Sequence, residues 1–162
     1  KLGCEVAARA SANMVFSSVQ GGMMGALGIG LPDVPIFLAA VFKTLFEISL
    51  SFGYPYDTKQ EQTYQMLLIC AAVGEEAERK QAAVDANIVA QQIRMGTGIC
   101  SVSFEEAKQR ASKALCSAAL MGKMVQGAPI IGVYGGFRNG VLLKQIGTVA
   151  AVKYQQRMLR ER

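Results

Sequence analysis

The stretch SVQGGMMGALGIGLPDVP, residues 18–35, decides the architecture because it ends one helical segment and begins the next. Small residues line one face of this segment, since they recur at every fourth position: Ser18, Gly22, Ala26 and Gly30. That spacing lets a second helix backbone approach closely. Asp33 is a favourable N-cap, and Pro35 suits the first turn of a helix. The stretch therefore predicts a close helix crossing followed by a new helix.

A second stretch has the same period, at Gly132, Gly136 and Gly140. Each glycine inside a helix costs about 0.5–1 kcal/mol relative to alanine, so tight packing has to offset it. Crossing inside a soluble bundle and packing at a bilayer both meet this requirement. A phosphate-binding loop is disfavoured because no strand precedes the glycines and no Gly-Lys-Ser/Thr follows. We predict that the two segments pack together through Gly22, Gly25, Gly30, Gly132, Gly136 and Gly140.

The rest of the chain is predicted to be helical. Apolar spacing and breakers place helices at residues 5–19, 33–52, 59–73, 75–94 and 103–126, with a last helix beginning between 129 and 139. Thr58 with Glu61, and Ser103 with Glu106, form capping-box patterns. Only residues 99–102 alternate like a strand. We predict an all-α, compact bundle of six to seven helices forming a single domain over residues 1–162, which we expect to be a fragment of a longer chain.

The net charge of +5 is confined to the end of the chain. Residues 1–137 hold 11 basic and 11 acidic residues, whereas residues 138–162 hold six basic residues and one acid. One explanation is that the helix dipole favours cations near a C-terminus. The other is a basic helix that faces anionic lipid headgroups through Lys144, Lys153, Arg157 and Arg160. No nucleic-acid-binding motif is present, so nucleic acid is not an expected partner.

Composition excludes several enzyme classes. The chain has no histidine, which removes Ser-His-Asp triads, Cys-His pairs and His-ligated zinc. The four cysteines form no Cys-x-x-Cys pair and stand among apolar residues, so we expect free, buried thiols: Cys4, Cys70, Cys100 and Cys116. We therefore predict no catalytic residue, no metal site and no cofactor.

Two polar residues interrupt an apolar helix. Lys43 and Glu47 lie one turn apart on one face of the helix predicted at residues 33–52. Lysine before glutamate is the weaker order for an intrahelical ion pair, which favours partners elsewhere. We predict that Asp33 caps its helix and that Glu47 contacts Arg138 or Asn139. Surface positions, a buried polar cluster and a ligand site are the three interpretations of this set.

Neither of the two long apolar segments reads as a clean transmembrane span, which takes about 20 residues. Residues 10–32 carry no charge but contain five glycines, Asn13 and Gln20. Residues 34–52 are more apolar but hold Lys43 and Glu47 in the middle, each costly at a bilayer centre. The two interpretations are membrane contact without spanning and a soluble helix that is apolar on all sides.

The ordered set of these motifs resembles the EcsC protein family. Residues 25–35, GALGIGLPDVP, are similar to the glycine-rich turn and D-x-P of that family. Residues 45–54, LFEISLSFGY, and residues 128–139, APIIGVYGGFRN, resemble two further segments in the same order. Arg157 lies where the terminal helix of the family carries basic residues. The chain departs from the pattern at Lys43, where arginine is common, and in the displaced aspartate Asp57.

The resemblance implies a polar signature at Asp33, Glu47 and Asn139, and no established catalytic residue. The family is named for a protein encoded beside an ABC transporter, and its biochemical function is undefined. We expect a non-catalytic, membrane-associated accessory protein at the cytoplasmic side, which binds a membrane surface, a membrane protein such as a transporter, or a lipid. The alternatives are a hydrolase that uses Asp33 or Glu47 and a soluble binder of an apolar small molecule.

Overall fold

The computed structural model describes residues 33–124 and 133–161 of the chain. The described residues form five helices: α1 Asp33–Ser51, α2 Lys59–Val73, α3 Glu76–Met95, α4 Phe104–Met124 and α5 Val133–Glu161. The predicted all-α class is confirmed, and this part of the chain contains no strand. The described residues hold five helices where six to seven were predicted for the whole chain, and the helix predicted at residues 5–19 lies outside the described residues. Residues 99–102 form a loop.

Local capping residues set the starts of two helices. The backbone N–H of Glu61 donates to Thr58 Oγ1 at 3.2 Å, and that of Glu106 donates to Ser103 Oγ at 3.2 Å. These bonds satisfy amides that a first helical turn leaves without partners. The predicted bounds of α2, Lys59–Val73, are confirmed. Gly96, with a φ of 63°, ends α3 in the left-handed conformation that glycine adopts most readily.

Helix α2 is the centre of the bundle. Eleven of its residues are buried, including the polar side chains of Glu61, Gln62, Thr63 and Gln65. It packs against α3, α4 and α5, while α1 packs against α5. The apolar core runs from Leu45 on α1 through Leu67 on α2 to Ile146 on α5. A helix buried on all sides has to bury its polar residues too, and these need partners from neighbouring helices.

Of the glycines predicted to pack closely, Gly140 is the one whose surroundings the structure describes. Gly140 is exposed, and an added Cβ would have no atom within 4 Å. Helices α1 and α5 contact each other at Gly147, where a Cβ would lie 3.4 Å from Thr44 Cγ2 and 3.9 Å from Ile48 Cδ1. Gly147 lies seven residues after Gly140, so it is not part of the period of four. The surroundings of Gly22, Gly25, Gly30, Gly132 and Gly136 lie outside the described part of the chain.

We expect leucine to have opposite effects at these two glycines. Gly147→Leu should lower the free energy of unfolding by about 1–3 kcal/mol, because the added atoms meet α1. Gly140→Leu should raise it by roughly 0.5–1 kcal/mol, because a better helix former enters open space. Urea denaturation of both variants measures the difference. Equal destabilisation at both positions would contradict the assignment of the contact to Gly147.

Candidate functional site

A buried ion pair joins α2 to α5. The side chains of Glu61 and Arg157 are only 1% and 6% exposed. Arg157 Nη1 donates to Glu61 Oε2 at 2.8 Å and to Oε1 at 3.0 Å. The Tyr154 hydroxyl donates to Glu61 Oε1 at 2.7 Å. Three charge-assisted hydrogen bonds therefore hold one carboxylate inside the bundle.

Aromatic rings and a second carboxylate complete the surroundings of Arg157. Its guanidinium carbon lies 4.0 Å from the ring centroid of Tyr54 and 5.3 Å from that of Tyr64. Arg157 Nε donates to Glu161 Oε1 at 3.1 Å, and the Tyr54 hydroxyl donates to Glu161 Oε2 at 2.7 Å. The arginine therefore has carboxylates on two sides and aromatic rings beside it. A planar guanidinium suits this arrangement, because it binds carboxylates through its N–H groups and stacks on rings.

The electrostatics of this network follow from burial. Burial raises the pKa of Glu61, although the charge and hydrogen bonds of Arg157 and the bond from Tyr154 oppose the rise. Burial by itself would lower the pKa of Arg157, but the charges and hydrogen bonds of Glu61 and Glu161 outweigh it, so that pKa is raised. Burial also raises the pKa of Tyr154, which keeps its hydroxyl as a donor. The network therefore serves as a fixed link between helices.

The ion pair corrects the prediction that four basic residues of the last helix face a membrane. Lys144 and Arg160 are exposed, but Arg157 is buried and Lys153 is half-buried. Lys153 Nζ donates to Ala83 O at 3.1 Å and to Asn87 Oδ1 at 3.0 Å on α3. Arg157 cannot face headgroups, because it lies in the contact between α2 and α5. The sequence did hold a signal that could have revealed this error. Glu61 is the one acidic residue in the segment 59–73, and an acid in a buried helix needs a basic partner.

The predicted polar cluster is not buried at the two positions whose side chains are described. Lys43 and Glu47 are 75% and 67% exposed and form an ion pair with each other, with Nζ 3.8 Å from Oε1. Asp33 is the first residue of α1, and Arg138 and Asn139 lie on α5. Their side chains lie outside the description, so the contacts predicted for them stay predictions. Lys43 and Glu47 belong to the surface.

A second ion network joins α3 to α4. Arg110 Nε lies 2.8 Å from Glu78 Oε1, and Arg110 Nη1 lies 2.8 Å from Asp85 Oδ2. Burial would lower the pKa of Arg110, but the bonds and charges of Glu78 and Asp85 outweigh it and raise the pKa. Composition and spacing did not indicate this network, because its partners come from different helices.

Between α3 and α5 lies a cleft of about 240 Å³ whose charged lining residues are mostly cationic. Arg94, Lys153, Arg157 and Arg160 line it, with Glu161 as the carboxylate among them. Arg157 and Glu161 are paired with each other. The other three cations take part in none of the ion pairs found within the described residues. Burial, and then the charge of Arg160, lower the pKa of Lys153, so this ammonium lies in a place unfavourable to its charge.

The cleft also has an apolar side. Val84 and Ile88 line it from α3 and are 52% and 41% exposed. Tyr64 contributes a ring from α2. Exposed apolar residues beside cations are suited to a ligand or surface that has an anionic and an apolar part. Sequence reasoning selected Lys153 and Arg160 but not Arg94, Val84 or Ile88, because their convergence depends on how α3 packs.

Metal and thiol chemistry receive no support from the residues described. Within residues 33–124 and 133–161, no group of three His, Cys, Asp or Glu side chains could hold a metal ion. Cys70 is free and buried, and burial raises the pKa of its thiol to about 12, which suppresses the reactive thiolate. Cys100 and Cys116 are free and half-buried. None of the helices described combines the length and apolar character that a membrane crossing needs.

The described residues thus form an all-α domain. Its helices pack around a buried Glu–Arg pair, and a cleft with cationic residues lies between two of them. The family model described as the EcsC protein family matches residues 1–159, so the chain belongs to the EcsC protein family. This match confirms the resemblance stated from the motifs. No curated protein and no solved structure matches the chain.

Proposed function

We propose that this domain is a non-catalytic accessory module that binds the anionic cytoplasmic surface of a membrane along the edge formed by α3 and α5. The observation that carries the proposal is the convergence of Arg94, Lys153 and Arg160, outside any described ion pair, on a cleft with exposed Val84 and Ile88. Cations attract anionic headgroups, and adjacent apolar side chains enter the headgroup layer. A membrane protein at the same surface is the alternative partner.

The energies require both parts of the surface. Each cation near an anionic membrane contributes about 1 kcal/mol, so three contribute roughly 3 kcal/mol, which is weaker than millimolar affinity. Burial of an exposed valine, leucine or isoleucine adds about 1.5–3 kcal/mol. Val152 and Leu159, seven residues apart on α5, are exposed and supply further apolar area beside Gln156 and Arg160. The attachment is therefore expected to be peripheral and reversible.

Sedimentation with lipid vesicles tests this proposal. We expect binding to vesicles of phosphatidylcholine with phosphatidylglycerol, weaker binding at high salt, and little binding to phosphatidylcholine alone. The double variant Arg94→Gln/Arg160→Gln should bind at least about tenfold more weakly, since it loses two of the cations. The matched control Arg79→Gln/Lys113→Gln loses the same charge from exposed positions outside the cleft lining.

Two results would contradict the proposal. Equal binding to neutral and anionic vesicles would remove its electrostatic part. Equal weakening by the two double variants would show that overall charge, rather than the edge formed by α3 and α5, attracts the protein to the vesicles.

A further inference from the structure

We infer that the cleft between α3 and α5 is a binding site for a single phosphate group, and that a lipid headgroup supplies it. The inference rests on the membrane-surface function proposed above and names the ligand chemistry of that surface. It assigns Lys153, Arg94 and Arg160 as the groups that contact the phosphate oxygens.

Lys153 is the central group of this site. Its ammonium is half-buried, and its two described partners, Ala83 O and Asn87 Oδ1, are neutral acceptors. An ammonium has three N–H donors, so one remains for a ligand in the cleft that Lys153 lines. A partly buried cation without a counter-ion is unfavourable, and a phosphate oxygen is the acceptor that relieves it.

Two arginines, one from α3 and one from α5, line the cleft. Arg94 Nη1 on α3 donates to the backbone carbonyl of Arg160 on α5 at 3.1 Å, which brings the two residues together. Each guanidinium has five N–H donors in a planar fork that matches two phosphate oxygens, and Arg94 spends one of them on this bond. A phosphate bound by Lys153 in the cleft thus has arginine donors available from two different helices.

The remaining charged groups of the cleft are already satisfied. Arg157 is paired with both Glu61 and Glu161, and these two carboxylates offset its charge. Glu161 is the carboxylate in the lining, and both of its oxygens accept hydrogen bonds, from Arg157 Nε and the Tyr54 hydroxyl. Arg94, Lys153 and Arg160 are therefore the lining cations outside the described ion pairs, and their charge favours an anion.

The size of the cleft argues for a headgroup rather than a whole lipid. Sites that enclose drug-sized ligands measure about 300–1,000 Å³, and this cleft, at about 240 Å³, is smaller. A phosphate with its glycerol fits, and the acyl chains stay outside. Val84 and Ile88, exposed at the cleft, lie where the apolar part of such a ligand leaves it.

Calorimetric titration of the 162-residue chain tests the site. The probes are monomeric dihexanoyl phosphatidic acid, dihexanoyl phosphatidylcholine and inorganic phosphate. We expect saturable binding of one phosphatidic acid per chain, with phosphatidylcholine at least about tenfold weaker because it lacks the net charge of the monoester. Lys153→Met keeps the apolar stem and should weaken binding about tenfold or more, through loss of one charged hydrogen bond. Arg160→Gln is a second variant, at an exposed position that carries no part of the core.

Lys113→Met is the matched control, since Lys113 is exposed on α4 and does not line the cleft. Unchanged affinity in this variant supports the site, and a loss equal to that of Lys153→Met overturns it. Absence of saturable phosphatidic acid binding also overturns it, whereas vesicle binding that Arg94→Gln/Arg160→Gln still weakens would leave the membrane-surface function standing. Inorganic phosphate bound as tightly as the lipid, with the same dependence on Lys153, supports the phosphate site but assigns it to a free phosphate.

Discussion

Arg157→Met is expected to lower the free energy of unfolding by about 3–5 kcal/mol, because it leaves the Glu61 carboxylate buried without its cation. Glu61 is 1% exposed, so water cannot replace the lost partner. Methionine fills much of the arginine stem, which keeps the cavity term small. Urea denaturation followed by circular dichroism measures the change, with the slope of the transition checked for two-state behaviour.

Two comparisons make the Arg157 result interpretable. Lys43→Met breaks the ion pair with Glu47, in which both side chains are exposed. It should lower the free energy of unfolding by only about 0–1 kcal/mol. The double variant Glu61→Gln/Arg157→Met removes both charges, keeps an oxygen acceptor for the Tyr154 hydroxyl and should recover much of the loss, since no buried charge is then left without a partner. A double variant as unstable as Arg157→Met would show that the loss came from packing.

Tyr154→Phe is expected to lower the free energy of unfolding by about 1.5–3 kcal/mol, which is the usual contribution of a hydrogen bond to a charged group. The Tyr154 hydroxyl donates to Glu61 Oε1 at 2.7 Å and accepts from Gln65 Nε2 at 3.4 Å, both inside the core. Phenylalanine keeps the ring contacts with Phe52 and Tyr64. The measured loss therefore reports the hydroxyl alone.

Tyr54→Phe is the matched control for this prediction. Its hydroxyl donates to Glu161 at the same 2.7 Å, but the bond is exposed. Water can replace an exposed donor, so the expected loss is below about 1 kcal/mol. Equal losses in the two variants would mean that the Glu61 carboxylate is hydrated, which contradicts the burial of the network.

The capping patterns separate what local sequence predicts from what packing decides. The pattern of Thr58 with Glu61 predicted the start of α2, and the backbone N–H of Glu61 donates to Thr58 Oγ1 as expected. A capping box also expects the glutamate side chain to reach back to the cap residue. The Glu61 side chain instead binds Arg157, 96 residues along the chain. A buried cation competes better for this carboxylate than an amide at a solvated helix end.

The candidate site was foreseen only in part, for the same reason. Charge counting selected the last helix and, within it, Lys153 and Arg160, which line the cleft. It assigned Arg157 to the same surface, because periodicity alone does not distinguish a basic residue at the edge of an apolar face from one within it. Arg94 and the exposed Val84 and Ile88 come from α3, and a single-helix pattern cannot show that α3 and α5 line one cleft.

Sequence alone determined the all-α class, the bounds of α2 and the concentration of positive charge in the last 25 residues. These follow from short-range rules: helix periodicity, capping hydrogen bonds and a count of charges. Tertiary structure decided which of those charges are buried and which are exposed, and it placed a contact between α1 and α5 at Gly147. Packing decides which charges are buried, because a buried charge is stable only with a partner from another helix. Spacing along the sequence does not show which helices come into contact.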